Sequence, residues 1–480
     1  MLRGTLAAAT GRRRSLVCAA VLVLAGCTSS AEVAAPTGPV PGCPTTERAT
    51  PDPHRPVITL DFRLDDDLRT VTGTETVTFT PDLPVGEMWF RLIPNAPQSA
   101  GNRLSVDAVR GENVAGGRYA QASAEPGTPG GLYRVDLRDP VAAGEQVRVE
   151  LDFTLRLTDG RTPAGFDRLG VDDDVTWWAS GFPLLTWEPG HGWARDPFVR
   201  ISGETTASPA ADTTIRVSAP EDLVVLMSGA QAEPRDAAGG RRIWESHDPV
   251  ARDVNVAVGE FETETVRTRS TTVTVGVVPS ADASAEDLAE ETVLAIRLLE
   301  DRFGAFPYAT LTVPLIADHG GGEEYSSSIL LGDEDFGLLV HEVAHMWFYG
   351  MVGNSQYRDP WLDEAFASYA ETVAEEPDED HFEEHLRDRG DVGGSMSDFA
   401  SQEQYEDVVY GKGAAALWEA REAAGAEAFD EALRCYVDTQ AWTLARPEDV
   451  ARALVGLEPA LDVLVEVGAL DREHLEAAGD

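Results

Sequence analysis

Residues 341–371 read HEVAHMWFYGMVGNSQYRDPWLDEAFASYAE, and this stretch decides what the rest of the chain must build. His341, Glu342 and His345 stand inside an apolar run, DFGLLVHEVAHMWFYGMV. On a helix, positions four apart share a face, so the two imidazoles reach one ion. Two imidazole nitrogens, a third protein ligand and one open position are how zinc is held where water must be activated. Glu342, next to His341, is placed to act as a base on that water rather than as a ligand. Eighteen residues separate His345 from Glu364, which lies in a second apolar helical segment, PWLDEAFASYAETVAEE. An acid on an apolar helix needs a partner or a metal. Two helices joined by a Gly-containing loop can bring Glu364 against the histidine pair. The expectation is one zinc ion held by His341, His345 and Glu364, with Glu342 as general base.

Working outward, the hydrophobic period changes along the chain. From about Val57 to Val266, segments such as VITLDFRL, TVTGTETVTFTP, QVRVELDFTLRLTDG and VNVAVGEF alternate polar with β-branched or aromatic residues. Pro, Gly and Asp turns separate them, as expected of strands. After Thr271–Val275, AEDLAEETVLAIRLLEDRF (285–303) carries a helical stripe at Leu288, Val293, Ile296, Leu299 and Phe303. FPYATLTVPLIAD and EEYSSSILLG read as strands, and beyond Asp335 the chain is almost entirely helical. Asp333, Glu334 and Asp335 suit the positive end of the first metal helix, and Pro360 suits the first turn of the second. The expected fold is multidomain α+β. An N-terminal antiparallel β domain (56–263) precedes a mainly helical catalytic domain (264–480) with a short helical C-terminus.

The first 27 residues read as an export signal: Arg3, Arg12, Arg13 and Arg14, then the apolar run Leu16–Ala25. That run is shorter than the ~20 residues that span a bilayer as a helix. It ends in Leu-Ala-Gly-Cys27, which resembles the bacterial lipobox, so Cys27 is expected to carry a lipid on the outer face of the cell membrane. Residues 28–55 are rich in Pro, Thr, Ser and Ala and are expected to form a flexible tether. Cys43 and Cys435 could pair outside the cytosol. The net charge of −45 and pI near 4.4 exclude a cationic nucleic-acid groove. Of 38 basic residues only Lys412 is a lysine.

With these residues quoted, the chain resembles the aminopeptidase N family of zinc metallopeptidases, a gluzincin group with His-Glu-x-x-His, eighteen residues and Glu. Two more of its motifs fall in order. Gly321-Gly322-Glu323-Glu324-Tyr325 resembles the Gly-x-Met-Glu-Asn exopeptidase signature, with Glu323 in the usual methionine place. Tyr410-Gly411-Lys412-Gly413 resembles the Tyr-x-Lys-Gly motif of the catalytic tyrosine, with Tyr405 as the alternative in another register. The likeness runs from Phe303 to about Leu417. It implies a thermolysin-like catalytic domain, one zinc ion, and peptide substrates with a free N-terminus. It also implies that Tyr410 hydrogen-bonds the oxyanion and that Glu324 binds the α-ammonium. The backbone of Gly321, Gly322, Glu323, Glu324 and Tyr325 would pair with the peptide main chain. Thr186-Trp187-Glu188-Pro189 resembles the β-domain segment that lends a second acid to the amine site, which marks Glu188.

Two other readings stay open on sequence: a zinc endopeptidase or other amide or ester hydrolase, and a lipid-anchored zinc-containing binding protein without turnover. His381-Phe-Glu-Glu-His385 matches an inverted zinc motif. It lies in the acidic run EEPDEDHFEEHLRDRGD and reads as a solvated face.

Overall fold

The computed structural model describes residues 47–99, 101–160, 168–173, 175–203, 207–316, 319–374 and 384–479. The export signal, Cys27, Cys43 and most of the tether lie outside the described residues.

The strand-patterned half forms three main sheets. Alternation sets which side chains go inward: in Val147–Arg156 (VRVELDFTLR) every second residue from Val147 to Leu155 is buried. That strand sits in an eight-stranded sheet with Val57–Leu64, Thr70–Phe79, Arg103–Arg110, Ala211–Pro220 and Arg241–Ala251 among its members. One pairing departs from the antiparallel expectation. Val57–Leu64 runs parallel to Ala211–Pro220, with Val57 opposite Asp212 and Arg63 opposite Ser218. Parallel neighbours need a long connection, and the chain between residues 65 and 210 supplies it. Two four-stranded sheets complete this half, one containing Val175–Ala179 and Asn255–Gly259.

A five-stranded sheet opens the second half, in the order Glu262–Arg267, Thr272–Val277, Thr310–Leu315, Ser328–Leu331, Gly322–Tyr325. The expected boundary after residue 263 therefore cuts a strand that belongs wholly to this sheet. Thr272–Val277 and Thr310–Leu315 are parallel, and helix α1 (Ala285–Phe303) crosses between them. Ser284 caps α1 by accepting from the Asp287 N–H, and Leu288, Val293, Ile296, Leu299 and Phe303 are all buried. Each such side chain contributes roughly 1.5–3 kcal/mol on leaving water, so the stripe fixes α1 to the sheet. Gly322–Tyr325 is the edge strand.

Trp177 and Ala257 of the β half share a core with Val278, Ile316, Tyr325 and Leu330 of the second half. The two halves are therefore welded rather than strung together. The end of the expected tether is also packed. The Ala49 N–H donates to the Asp438 carbonyl at 2.8 Å, and Arg48 pairs with Asp438 at 2.9 Å. Cys435, one helical turn earlier, is disulfide-bonded; the other three cysteines all precede the described residues. Among the described residues no helix is long and apolar enough to cross a membrane.

Candidate active site

Helix α2 (Phe336–Ala344) begins at Asp335, whose side chain accepts from the Leu338 N–H at 2.9 Å. Leu339, Val340, Val343 and Ala344 bury its apolar face, which turns His341 and Glu342 toward a cavity. Pro360 starts a short 3₁₀ turn, Pro360–Leu362, and not the helix itself. Helix α3 (Glu364–Ala374) follows, with Glu364 as its first residue. The Asp363 carboxylate accepts the Glu364 N–H at 2.9 Å, so the first metal-type acid is pinned at a helix start.

The two helices bring the expected ligands together. His341 Nε2 and His345 Nε2 are 3.2 Å apart, and Glu364 Oε2 is 3.4 Å from each. The outward nitrogens face acceptors: His345 Nδ1 lies 3.1 Å from the Phe348 carbonyl, and His341 Nδ1 lies 3.6 Å from Glu371 Oε2. A proton on each Nδ1 leaves both Nε2 lone pairs turned inward, the arrangement that orients imidazole ligands. Burial disfavours charge on His341, but Glu364 and Glu371 outweigh it and raise the ring to about 9. Burial likewise opposes charge on Glu364, yet the two histidines hold it far below the usual carboxylate range. The three groups thus favour a positive charge at their meeting point. A divalent cation supplies that charge while releasing the protons, so the donor set fits zinc.

Glu342 and Glu324 border the same point. One ligand-type atom from each of Glu324, Glu342 and His345 lies within 4.8 Å of the others. Glu342 packs on the edge strand so closely that a Cβ at Gly322 would stand 2.7 Å from its Oε1. Its Oε2 is buried without a hydrogen-bond partner, and burial pushes the carboxyl up to about 7. Glu324 is buried with Gln356 Nε2 donating to it at 3.3 Å. Burial pushes its carboxyl well above the usual range, and Glu364 and Glu342 add to the rise against the pull of His345. A carboxyl in that position favours a cationic guest.

Tyr410 lies in a π-helical stretch, Glu406–Lys412, between the α-helical Gln402–Tyr405 and Gly413–Ala424. Its ring stacks on the His341 imidazole at 5.9 Å and 8°. Wide turns of this kind re-aim a side chain. Tyr410 lines the cavity, whereas Tyr405 packs behind it, edge-on at 5.7 Å. The rest of the motif is structural. Lys412 Nζ donates to the carbonyls of Asp388 (3.1 Å) and Gly390 (2.7 Å). A Cβ at Gly413 would meet Ala365 at 2.5 Å, so glycine there allows close packing beside Glu364.

Two of the acids singled out in the sequence fare differently. Glu323 lines the cavity; Tyr325 donates to it, and Arg168 approaches it at 3.8 Å. Glu188 is not brought into the site. It pairs with Arg358 and, at 3.3 Å, with Arg446, which leaves it off the cavity wall. His385 of the inverted motif binds Asp388 at 2.9 Å, and His381 lies outside the described residues. Sequence reasoning missed Gln356, Arg168 and Glu371. Glu371 was within reach, since it lies two helical turns beyond Glu364 on one face of α3; the other two have no local signal.

The cavity measures about 780 Å³ and is walled by both halves, with Gln98 and Phe198 from the β half. Residues 326–465 match the model of the Peptidase family M1 domain. That stretch of the chain is similar to an M1 peptidase domain. Both metal helices and Tyr410 fall inside it, and Glu324 precedes the matched stretch by two residues. Among curated relatives the chain is 26% identical over 219 residues to Aminopeptidase RNPEPL1 of Homo sapiens, covering 42% of this chain and 29% of that protein. Endoplasmic reticulum aminopeptidase 1 of Homo sapiens is 26% identical over 237 residues, 42% of this chain and 25% of that protein. The chain thus spans less than a third of the length of these two relatives. Among solved structures, an M1 zinc metallopeptidase from Deinococcus radiodurans shares the fold at a TM-score of 0.63 and 20% identity, over 86% of this chain and 92% of that one. A mutant from the same organism bound to a Tyr-Ser-Ala substrate aligns at 0.63 and 19%, over 87% and 95%. The M1 fold with its β-rich and helical halves is therefore the fold of this chain.

Proposed function

We propose that this chain is a zinc-dependent aminopeptidase that removes N-terminal residues from peptides. The observation that carries the reading is the close grouping of Glu324, Glu342 and His345 in one cavity. An ammonium anchor that near the base leaves space for one residue before the bond that is cut. His341, His345 and Glu364 would hold one zinc ion, which polarises a carbonyl and acidifies water when bound. Glu324 receives the α-ammonium of the substrate. The edge strand Gly322–Tyr325 aligns the peptide through main-chain pairing. Glu342 takes a proton from the attacking water and returns it to the leaving amine nitrogen. The Tyr410 hydroxyl donates to the oxygen that becomes negative as the carbonyl is attacked.

The test is a panel of aminoacyl-coumarins and their N-acetylated forms, with and without a zinc chelator. Chelator-sensitive release from the free-amine series is expected. Glu324→Ala removes a charge-assisted contact of about 1.5–3 kcal/mol, so KM for free-amine substrates should rise roughly 10–100-fold, with blocked substrates far less affected. Equal loss on both series would sink the anchor role and favour an endopeptidase. The Leu-Ala-Gly-Cys27 run further supports export and a lipid anchor on the membrane. Cys27→Ser is then expected to abolish fatty-acid labelling and move the protein to the soluble fraction; unchanged labelling would refute the anchor.

A further inference from the structure

The turn that follows α2 is held from the β half by two consecutive residues. Regular helix ends at Ala344, with His345 as its C-cap. The N–H groups of Gly350, Met351 and Val352 then donate five residues back, to His345 (2.9 Å), Met346 (3.1 Å) and Trp347 (2.9 Å). Carbonyls at a helix exit need partners from elsewhere. Tyr349 also sits at φ 115°, a conformation that a bulky side chain keeps only where its surroundings enforce it.

Arg252 provides the partners. Its Nε donates to the carbonyls of Tyr349 (2.9 Å) and Gly350 (3.1 Å). Its Nη2 donates to Met351 (3.1 Å) and Thr443 (2.6 Å), and its Nη1 to Ser208 (3.0 Å). A Cβ at Gly353 would stand 2.4 Å from the guanidinium carbon, so only glycine admits this arginine. Asp253 is also buried. It accepts from the Tyr349 hydroxyl and, at 3.1 Å, from the Ser326 N–H. Ser326 directly follows the strand that carries Glu324. The Arg252 N–H donates to Ser326 Oγ at 2.8 Å. The dipeptide therefore grips both the turn whose Phe348 carbonyl orients His345 and the exit of the Glu324 strand.

We propose that Arg252 and Asp253 are positioning residues that fix His345 relative to Glu324, so that zinc affinity depends on a β-half dipeptide. This rests on the metal-site reading above and is independent of which bond the enzyme cuts. Lysine, a point charge with three donors, does not span five carbonyls as a planar guanidinium does.

The experiment measures zinc affinity of the full chain by competition with a chromophoric chelator. The variants are Arg252→Lys and Tyr349→Phe, with Arg241→Lys as control. Arg241 is likewise buried and donates to backbone carbonyls, but these belong to Leu64 and, at 2.7 Å, Ser218 in the β half, not to the turn after α2. Loss of a partner that orients a ligand weakens metal binding by about 10–100-fold, and Arg252→Lys is expected in that range. Tyr349→Phe should move the same way by at least threefold, and it decides the matter if Arg252→Lys does not fold. Arg241→Lys should keep wild-type affinity even where its melting temperature falls. Wild-type affinity in Arg252→Lys and Tyr349→Phe, or an equal loss in Arg241→Lys, overturns the inference. A wild-type chain that binds no zinc overturns the metal reading itself, a separate result.

Discussion

Glu342→Gln is expected to lower kcat by about 10²–10⁴-fold, the usual contribution of a positioned proton acceptor, with zinc content unchanged. Glutamine keeps the size that the close contact with Gly322 demands and loses only basicity. The native carboxyl is buried with an oxygen lacking any protein partner, an arrangement that destabilises the fold. A neutral amide relieves part of that, so the variant should melt at the same temperature or higher, as often happens when a functional group is removed. Steady-state kinetics, metal analysis and a melting curve on one preparation settle it. A kcat within tenfold of wild type would remove Glu342 from the role of base.

Tyr410→Phe is the second large effect. One oxyanion donor is worth about 10²–10³-fold in kcat, and a contact with the substrate that strengthens as charge develops on it should leave KM nearly unchanged. The ring remains to stack on His341, so the metal ligand keeps its support. Tyr405→Phe is the matched control, because Tyr405 is buried behind Tyr410 and away from the cavity wall. Its kcat should stay within about tenfold of wild type, well short of the loss of an oxyanion donor. Comparable losses in both variants would assign the effect to packing rather than to oxyanion stabilisation.

How much of this was legible in the sequence follows from the range of each interaction. The histidine pair, Glu364 and the helical stripe of α1 depend on periodicity within a few turns, and the chain places them as their spacing dictates. The approximate join between the halves was also readable, because the hydrophobic period changes there. Residues 47–49 were not: their composition reads as tether, yet partners at Ala305 and Asp438 hold them. Glu188 sits in a motif-like segment, but two arginines far along the chain claim its carboxylate. Arg168 reaches Glu323 and Arg252 reaches Tyr349, each more than 90 residues away, so no local pattern marks them. The π-helical turn under Tyr410 arises from tertiary packing rather than from propensity.

Lys412 gives the molecule an unusual handle. The sequence holds one lysine, and the fold hides its amine behind two carbonyls of the 388–390 segment, one residue beyond Gly411 from Tyr410. Acylating reagents aimed at side-chain amines therefore have a single target, shielded while those two carbonyls hold it. Their rate of attack is a built-in clock for how often that pair of hydrogen bonds breaks.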